Sequence, residues 1–141
     1  MPSCSAARAA VFWTGGKDCA LALDAVRTAG LPVGALVTFA PPDAAFRAHP
    51  LPVIAAQAAA LDLPHRVVQI DAPCDCSYRR AFKRLTAEGL THFVTGDIDL
   101  VAGMPNWVRE CAADLDVEVI TPLWGRDREE LIADVLARGF A

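Results

Sequence analysis

The sequence predicts a single α/β domain in three layers, with a five-stranded parallel sheet held between two sets of helices. Short β-branched or aromatic runs alternate with longer Ala/Leu-rich stretches of helical spacing, the pattern of strands joined by helical crossovers. Strand-like runs pass through glycine or proline turns directly into helix-like ones. The 141 residues leave room for one core, and no linker, repeat or low-complexity tract divides them.

Each element has its own signal. Ala9 to Trp13 is apolar throughout, as a buried strand must be, and runs through Thr14-Gly15-Gly16-Lys17-Asp18 into a helix expected from Cys19 to Thr28, stopped by Gly30 and Pro32. Val33 to Phe39 forms the second strand. Pro41-Pro42-Asp43 breaks it, and a loop of about ten residues through His49-Pro50, long for such a fold, precedes an Ala-rich helix near Pro52 to Leu61. His65 to Ile70 is the third strand, Asp71 to Cys76 a loop, and Ser77 to Glu88 a helix ended by Gly89. Thr91 to Thr95 is the fourth strand, closed by Gly96-Asp97, with helix resuming near Asn106 to Leu115. Val117 to Thr121 is the fifth, and Pro122-Leu123-Trp124-Gly125 leads to a last helix from Asp127 to Ala137. Right-handed crossovers put helices on both faces and gather the loops after the strands along one edge, where open α/β sheets bind ligands.

Composition excludes several function classes. Thirteen Lys and Arg stand against 17 Asp and Glu, a net charge of -4, which argues against general polyanion binding, so direct nucleic-acid contact is not expected. The apolar runs fall far short of the roughly 20 residues a bilayer crossing needs, and the N-terminus has no basic stretch followed by a long apolar one. Membrane association is not expected either. Cys4, Cys19, Cys74, Cys76 and Cys111 form an odd set without a CxxC pair or a His at finger-like spacing, so they read as reduced thiols of a cytoplasmic protein, with Cys74 and Cys76 incidental.

Chemistry is concentrated in Thr14-Gly15-Gly16-Lys17-Asp18-Cys19. Two glycines let the backbone turn tightly and approach a ligand, while the uncapped N–H groups of a helix start carry partial positive charge. Such a turn is a phosphate cradle, with Lys17 as a full cation at its mouth and the Thr14 hydroxyl as a further donor. It matches neither GxxxxGK[ST] nor GxGxxG. The plain alternative for the same residues is a glycine turn N-capped by Asp18.

The run Trp13 to Leu21 resembles the SGGKDS loop of the PP-loop ATP pyrophosphatases, with Thr14 and Cys19 in place of its serines. Gln57-Ala58-Ala59-Ala60-Leu61-Asp62-Leu63-Pro64 is similar to the QAxALGxP helix end of the diphthine–ammonia ligase branch. Thr95-Gly96-Asp97-Ile98 resembles its GDI strand end, and Pro122-Leu123-Trp124-Gly125 its PLWG segment. These matches come in the same order over nearly the whole chain. The resemblance implies a Rossmann-like fold of the HUP, or adenine nucleotide alpha hydrolase-like, type. It further implies an ATP-dependent amide-forming ligase that cleaves ATP to AMP and pyrophosphate with Mg²⁺, adenylates a carboxyl group, and lets ammonia displace the AMP. The family's acceptor is a modified histidine of elongation factor 2.

Carried onto this chain, the resemblance assigns Thr14, Gly15, Gly16, Lys17, Asp18 and Cys19 to the phosphates, Lys17 neutralising the leaving pyrophosphate. It assigns the backbone of Val37, Thr38 and Phe39 to the adenine, Gly96 and the catalytic Asp97 to the nucleotide with Mg²⁺ or ribose, and His49 to acceptor contact. The metal ligands stay unknown, and a homodimer is compatible with it. Trp124 reads as a core anchor rather than a site residue, and Cys19 as a weaker thiol donor or a reactive thiol at a helix start. Relatives continue past the Gly139-Phe140 segment into an acceptor-recognising half. With the chain ending at Ala141, residues 1–141 are expected to be the ATP-binding half, a truncation or a short homologue. Two other expectations stand beside this one: a non-catalytic nucleotide-binding module, and a PP-loop enzyme acting on tRNA.

Overall fold

The computed structural model describes residues 7–40, 51–70, 75–96 and 107–139. Five strands, β1 (Ala9–Phe12), β2 (Val33–Ala40), β3 (His65–Gln69), β4 (His92–Val94) and β5 (Glu118–Ile120), alternate with α1 (Lys17–Thr28), α2 (Leu51–Ala60), α3 (Asp75–Ala87), α4 (Trp107–Ala112) and α5 (Arg128–Ala137). The strands form one sheet in the order β3-β2-β1-β4-β5, every pair parallel. β1 sits at the centre because it is apolar on both faces: Ala9, Ala10 and Val11 are fully buried.

Alternation along β1 divides the core into two layers. Ala9, Val11 and Trp13 point to one face, where Leu21, Ala22, Leu23 and Val26 of α1, Ile54 and Ala58 of α2, and Leu131 of α5 cover them. Ala10 and Phe12 point to the other, covered by Ala81, Phe82 and Leu85 of α3 and Val108 and Cys111 of α4. Ion pairs of Arg138 with Asp24 and of Arg66 with Glu88 tie α5 to α1 and β3 to the end of α3.

Several boundaries differ from expectation. α1 starts at Lys17, two residues before the expected Cys19, and its N-cap is Gly16 with no side-chain cap bond, so Asp18 lies within the first turn and does not cap it. α3 starts at Asp75, inside the expected loop, while α4 ends at Ala112, short of Leu115. Asp127 caps α5 by accepting from the Glu129 N–H at 3.3 Å. α2 ends in a left-handed residue, as the QAxALGxP pattern demands, but Asp62 takes the glycine's place at φ 57°. Trp124 is not a core anchor. The tight turn after β5, with Trp124 N–H bonded to Thr121 O, admits one side chain to the core; Leu123 takes that place at 1% exposure and Trp124 stays 38% exposed.

The second layer is built on aromatic rings. Phe82 is fully buried, with centroids 5.5 Å from Phe12, 5.7 Å from Phe39 and 5.1 Å from Phe93. Among the described residues, no helix is long and apolar enough to cross a membrane. Phe82→Ala removes the ring on which this layer converges and is expected to destabilise the domain by about 3–5 kcal/mol, read from the urea unfolding midpoint.

Candidate functional site

β1 is where the strand order reverses: β2 lies on one side of it and β4 on the other. The chain leaves β1 into α1 on one face and β4 into α4 on the other, and crevices opened in this way at carboxyl ends of strands are the ligand sites of open α/β sheets. A cavity of about 310 Å³ opens there. Phe12, Phe39 and Tyr78, with Val37 and Val108, form its apolar wall; Thr14, Asp18, Cys19, Thr95 and Gly96 form its polar side. Phe39 meets Phe12 edge-on at 5.0 Å and Tyr78 at 5.5 Å, which makes the wall rigid. Burial, and then the neighbouring Cys111, push the Tyr78 phenol above its ordinary pKa, so it remains a protonated donor at neutral pH.

The turn from β1 to α1 forms the polar side. Gly15 has φ 89°, a conformation that L side chains rarely adopt. Gly16 is extended, at φ -87° and ψ 173°, and caps α1 without a side chain. As a result, the amides of Gly15 to Cys19 find no acceptor among the described residues; the first paired amide is that of Ala20, bonded to Gly16 O at 3.3 Å. Cys19 turns inward, its sulfur accepting the Thr14 N–H at 3.4 Å and lying 3.3 Å from the Thr14 hydroxyl. Lys17 and Asp18 flank the cradle, Lys17 Nζ 3.3 Å from Asp18 Oδ1. That oxygen is buried and accepts no hydrogen bond among the described groups, so the lysine meets it as an ion pair and not as an aligned donor.

Two contacts hold the turn from outside. The first is steric: a Cβ on Gly96 would lie 2.8 Å from the carbonyl carbon of Asp18 and 3.0 Å from the amide nitrogen of Cys19, so the end of β4 touches the backbone of the first turn of α1. The second runs through Trp13. Its indole Nε1 donates to Gln57 Oε1 at 2.9 Å, and Gln57 Nε2 donates to Gly15 O at 3.3 Å, so α2 grips the turn through one amide side chain. Thr38 Oγ1 donates to Trp13 O at 2.7 Å. Its single proton is thereby used, so His65 Nε2, 2.9 Å away, must be the donor to Thr38. Burial lowers the His65 pKa, which favours the neutral ring with its proton on Nε2.

Of the residues the sequence singles out, Thr14, Asp18, Cys19, Val37, Phe39 and Gly96 line one cavity, while Gly15, Gly16 and Lys17 lie in the same turn without lining it. Thr38 does not line it; its side chain is buried and bridges Trp13 and His65. His49 and Asp97 lie outside the described residues. Sequence reasoning missed the bridging role of Gln57 and the wall position of Tyr78. Gln57 carries a readable signal, being the only polar residue of α2, Leu51–Ala60.

No family model matches the chain, and no curated protein sequence matches it. Among solved structures, the crystal structure of a predicted subunit of tRNA methyltransferase from Methanocaldococcus jannaschii matches with a TM-score of 0.65 at 14% sequence identity, over 93% of this chain and 76% of that one. The fold is Rossmann-like, a five-stranded parallel sheet between two helical layers. At that identity the likeness extends to the architecture, and the chemistry of the site rests on this chain's own residues.

The contact at Gly96 yields a direct expectation. Gly96→Ala must separate β4 from α1 by a few tenths of an ångström, costing about 1–3 kcal/mol in urea unfolding and shifting the amide resonances of Asp18 and Cys19. Wild-type stability with unmoved resonances would contradict the backbone contact.

Proposed function

We propose that this protein binds ATP with its triphosphate on the turn Thr14–Cys19 and cleaves it between the α and β phosphates, adenylating an oxygen of the acceptor, from which ammonia then displaces AMP. The observation that carries the proposal is the row of amides from Gly15 to Cys19 that find no acceptor among the described residues, in a turn whose Thr14, Asp18 and Cys19 line a cavity at the switch point of the sheet. An acidic protein lacking a broad basic field can hold a triphosphate in this way, with aimed backbone dipoles and one lysine.

The chemistry follows from charge. A carboxylate is a poor electrophile, so its oxygen first attacks the α phosphorus. The bond from that phosphorus to the bridging oxygen breaks, and pyrophosphate departs with the electron pair. Charge therefore grows on the β phosphate in the transition state, where the helix-start amides and the Lys17 ammonium are aimed in advance. Lys17 needs only to exchange its contact with Asp18 for the leaving group. Ammonia then attacks the acyl carbon, AMP leaves, and an amide remains. The aromatic wall of Phe12, Phe39 and Tyr78 offers a dry surface to the base. Mg²⁺, bound with the triphosphate, would supply further charge neutralisation, and the buried, unbonded Oδ1 of Asp18 is the described carboxylate that fits it, with Asp97 the second by resemblance.

The acceptor has two readings. Resemblance to the diphthine–ammonia ligases favours a carboxylate on a protein such as elongation factor 2, with His49 as its contact. The likeness to a predicted tRNA methyltransferase subunit favours a nucleic-acid acceptor whose carbonyl oxygen is adenylated in the same way.

Incubation with ATP, Mg²⁺ and ammonium, with and without candidate acceptors, is expected to release AMP and pyrophosphate in equal amounts. Lys17→Ala is expected to lower that release by about 10²-fold with the fold intact by circular dichroism. ADP and phosphate as products, or an unaffected Lys17→Ala variant, would contradict the proposal.

A further inference from the structure

Residues 77–84 read Ser-Tyr-Arg-Arg-Ala-Phe-Lys-Arg, four cations without an anion in a chain of net charge -4. Ala81 and Phe82 enter the core, and Arg79, Arg80, Lys83 and Arg84 stay exposed on α3. Two nearby cations are engaged within the fold: Arg79 lies 3.7 Å from Asp114, and Arg66 on β3 pairs with Glu88. Arg80, Lys83 and Arg84 make no ion pair among the described residues; Arg84 only adds to the hold that Arg66 has on the Glu88 carboxyl.

Helical rise sets Arg80 and Arg84 about 6 Å apart along the axis, with Lys83 beside them. Like charges one turn apart repel, so the cluster works against α3 unless a counter-charge arrives from outside. Beside it lies a groove of about 260 Å³, with Arg80, Arg84, Ser77 and Gln69 along it and Val68 and Ala81 at its base. Among the described residues β3 is the edge strand on that side of the sheet. At the head of the groove is Ser77, and the next residue, Tyr78, lines the cavity at the switch point.

We infer that the groove between α3 and β3 binds the phosphodiester backbone of a nucleic-acid strand and leads it toward the candidate active cavity. Cations repeated at one helical turn match a polymer of repeated phosphates, and arginine forks grip phosphate oxygens in pairs. The cations rim a groove, which suits a strand better than a flat anionic membrane surface. The inference rests on the nucleic-acid reading of the acceptor, but binding of the strand itself does not require ATP.

Fluorescence anisotropy with fluorescein-labelled oligouridine, and with its deoxy counterpart, tests it over a range of KCl. Three free cations predict a slope of log affinity against log salt of about -2 for a single strand. Arg80→Ala/Arg84→Ala is expected to weaken binding about tenfold at low salt and to bring the slope to about -0.7, while Arg128→Ala on α5 leaves both unchanged. Binding of either oligonucleotide with this behaviour supports the inference, and preference between the two identifies the source of the backbone. No binding at low salt, equal binding by the Arg80/Arg84 variant with circular dichroism unchanged, or capture by phosphatidylserine vesicles in place of oligonucleotide overturns it. ATP binding measured on the same samples separates the claims: ATP without oligonucleotide overturns this inference alone, and oligonucleotide without ATP overturns the adenylation proposal alone.

Discussion

Between the end of β1 and the start of α1 the chain has four residues, Trp13 to Gly16, in which to turn from the sheet onto the helical layer above it. A side chain at Gly15 would oppose its φ of 89°. A Ser or Asp at the N-cap would contribute only a few tenths of a kcal/mol more than the glycine found there, but it would consume one of the helix-start amides. Using Gly16 costs α1 little and leaves its first turn electrically open. The candidate site depends on that uncapped turn, because the net charge of the chain supplies no other field to attract a triphosphate.

An open turn needs external support, and the fold gives it from both layers. β4 presses on α1 through Gly96, where a backbone meets a backbone with no side chain between. α2 holds the turn through Gln57, which joins the Trp13 indole to the Gly15 carbonyl. Thr38 and His65 fix the Trp13 carbonyl from the neighbouring strands. The turn is thus held in place by residues outside it, the condition under which the proposed binding would stabilise charge without reorganisation. Cys19 adds an internal tie by directing its sulfur to Thr14, where the resembled motif has a serine.

Much of this was legible in the sequence, for identifiable reasons. The parallel sheet and its two helical layers follow from apolar runs such as Ala9 to Trp13 and from the helical spacing after them, which are local signals. The turn itself was legible because a glycine pair between a strand and a helix permits a conformation closed to other residues. Long-range contacts were not: nothing local shows that Gln57 reaches Gly15 across 42 positions, or that Gly96 abuts Asp18. The start of α1 at Lys17 was hidden because Asp18 is a good capping residue, and the glycine before it took that place. Trp124 was misread because its size suggests burial, whereas the turn admits only Leu123. The net charge of -4 concealed the local row of cations on α3, since a whole-chain balance averages over faces.

The most direct test of the cradle is an ATP titration of isotope-labelled protein, following the amide resonances of Gly15, Gly16, Lys17 and Asp18. They are expected to shift saturably with ATP and to stay unmoved with adenosine, because the proposal sets these N–H groups against a triphosphate tail and not a base. Resonances that ignore ATP, or that respond equally to adenosine, would show that the turn from β1 to α1 does not hold phosphate.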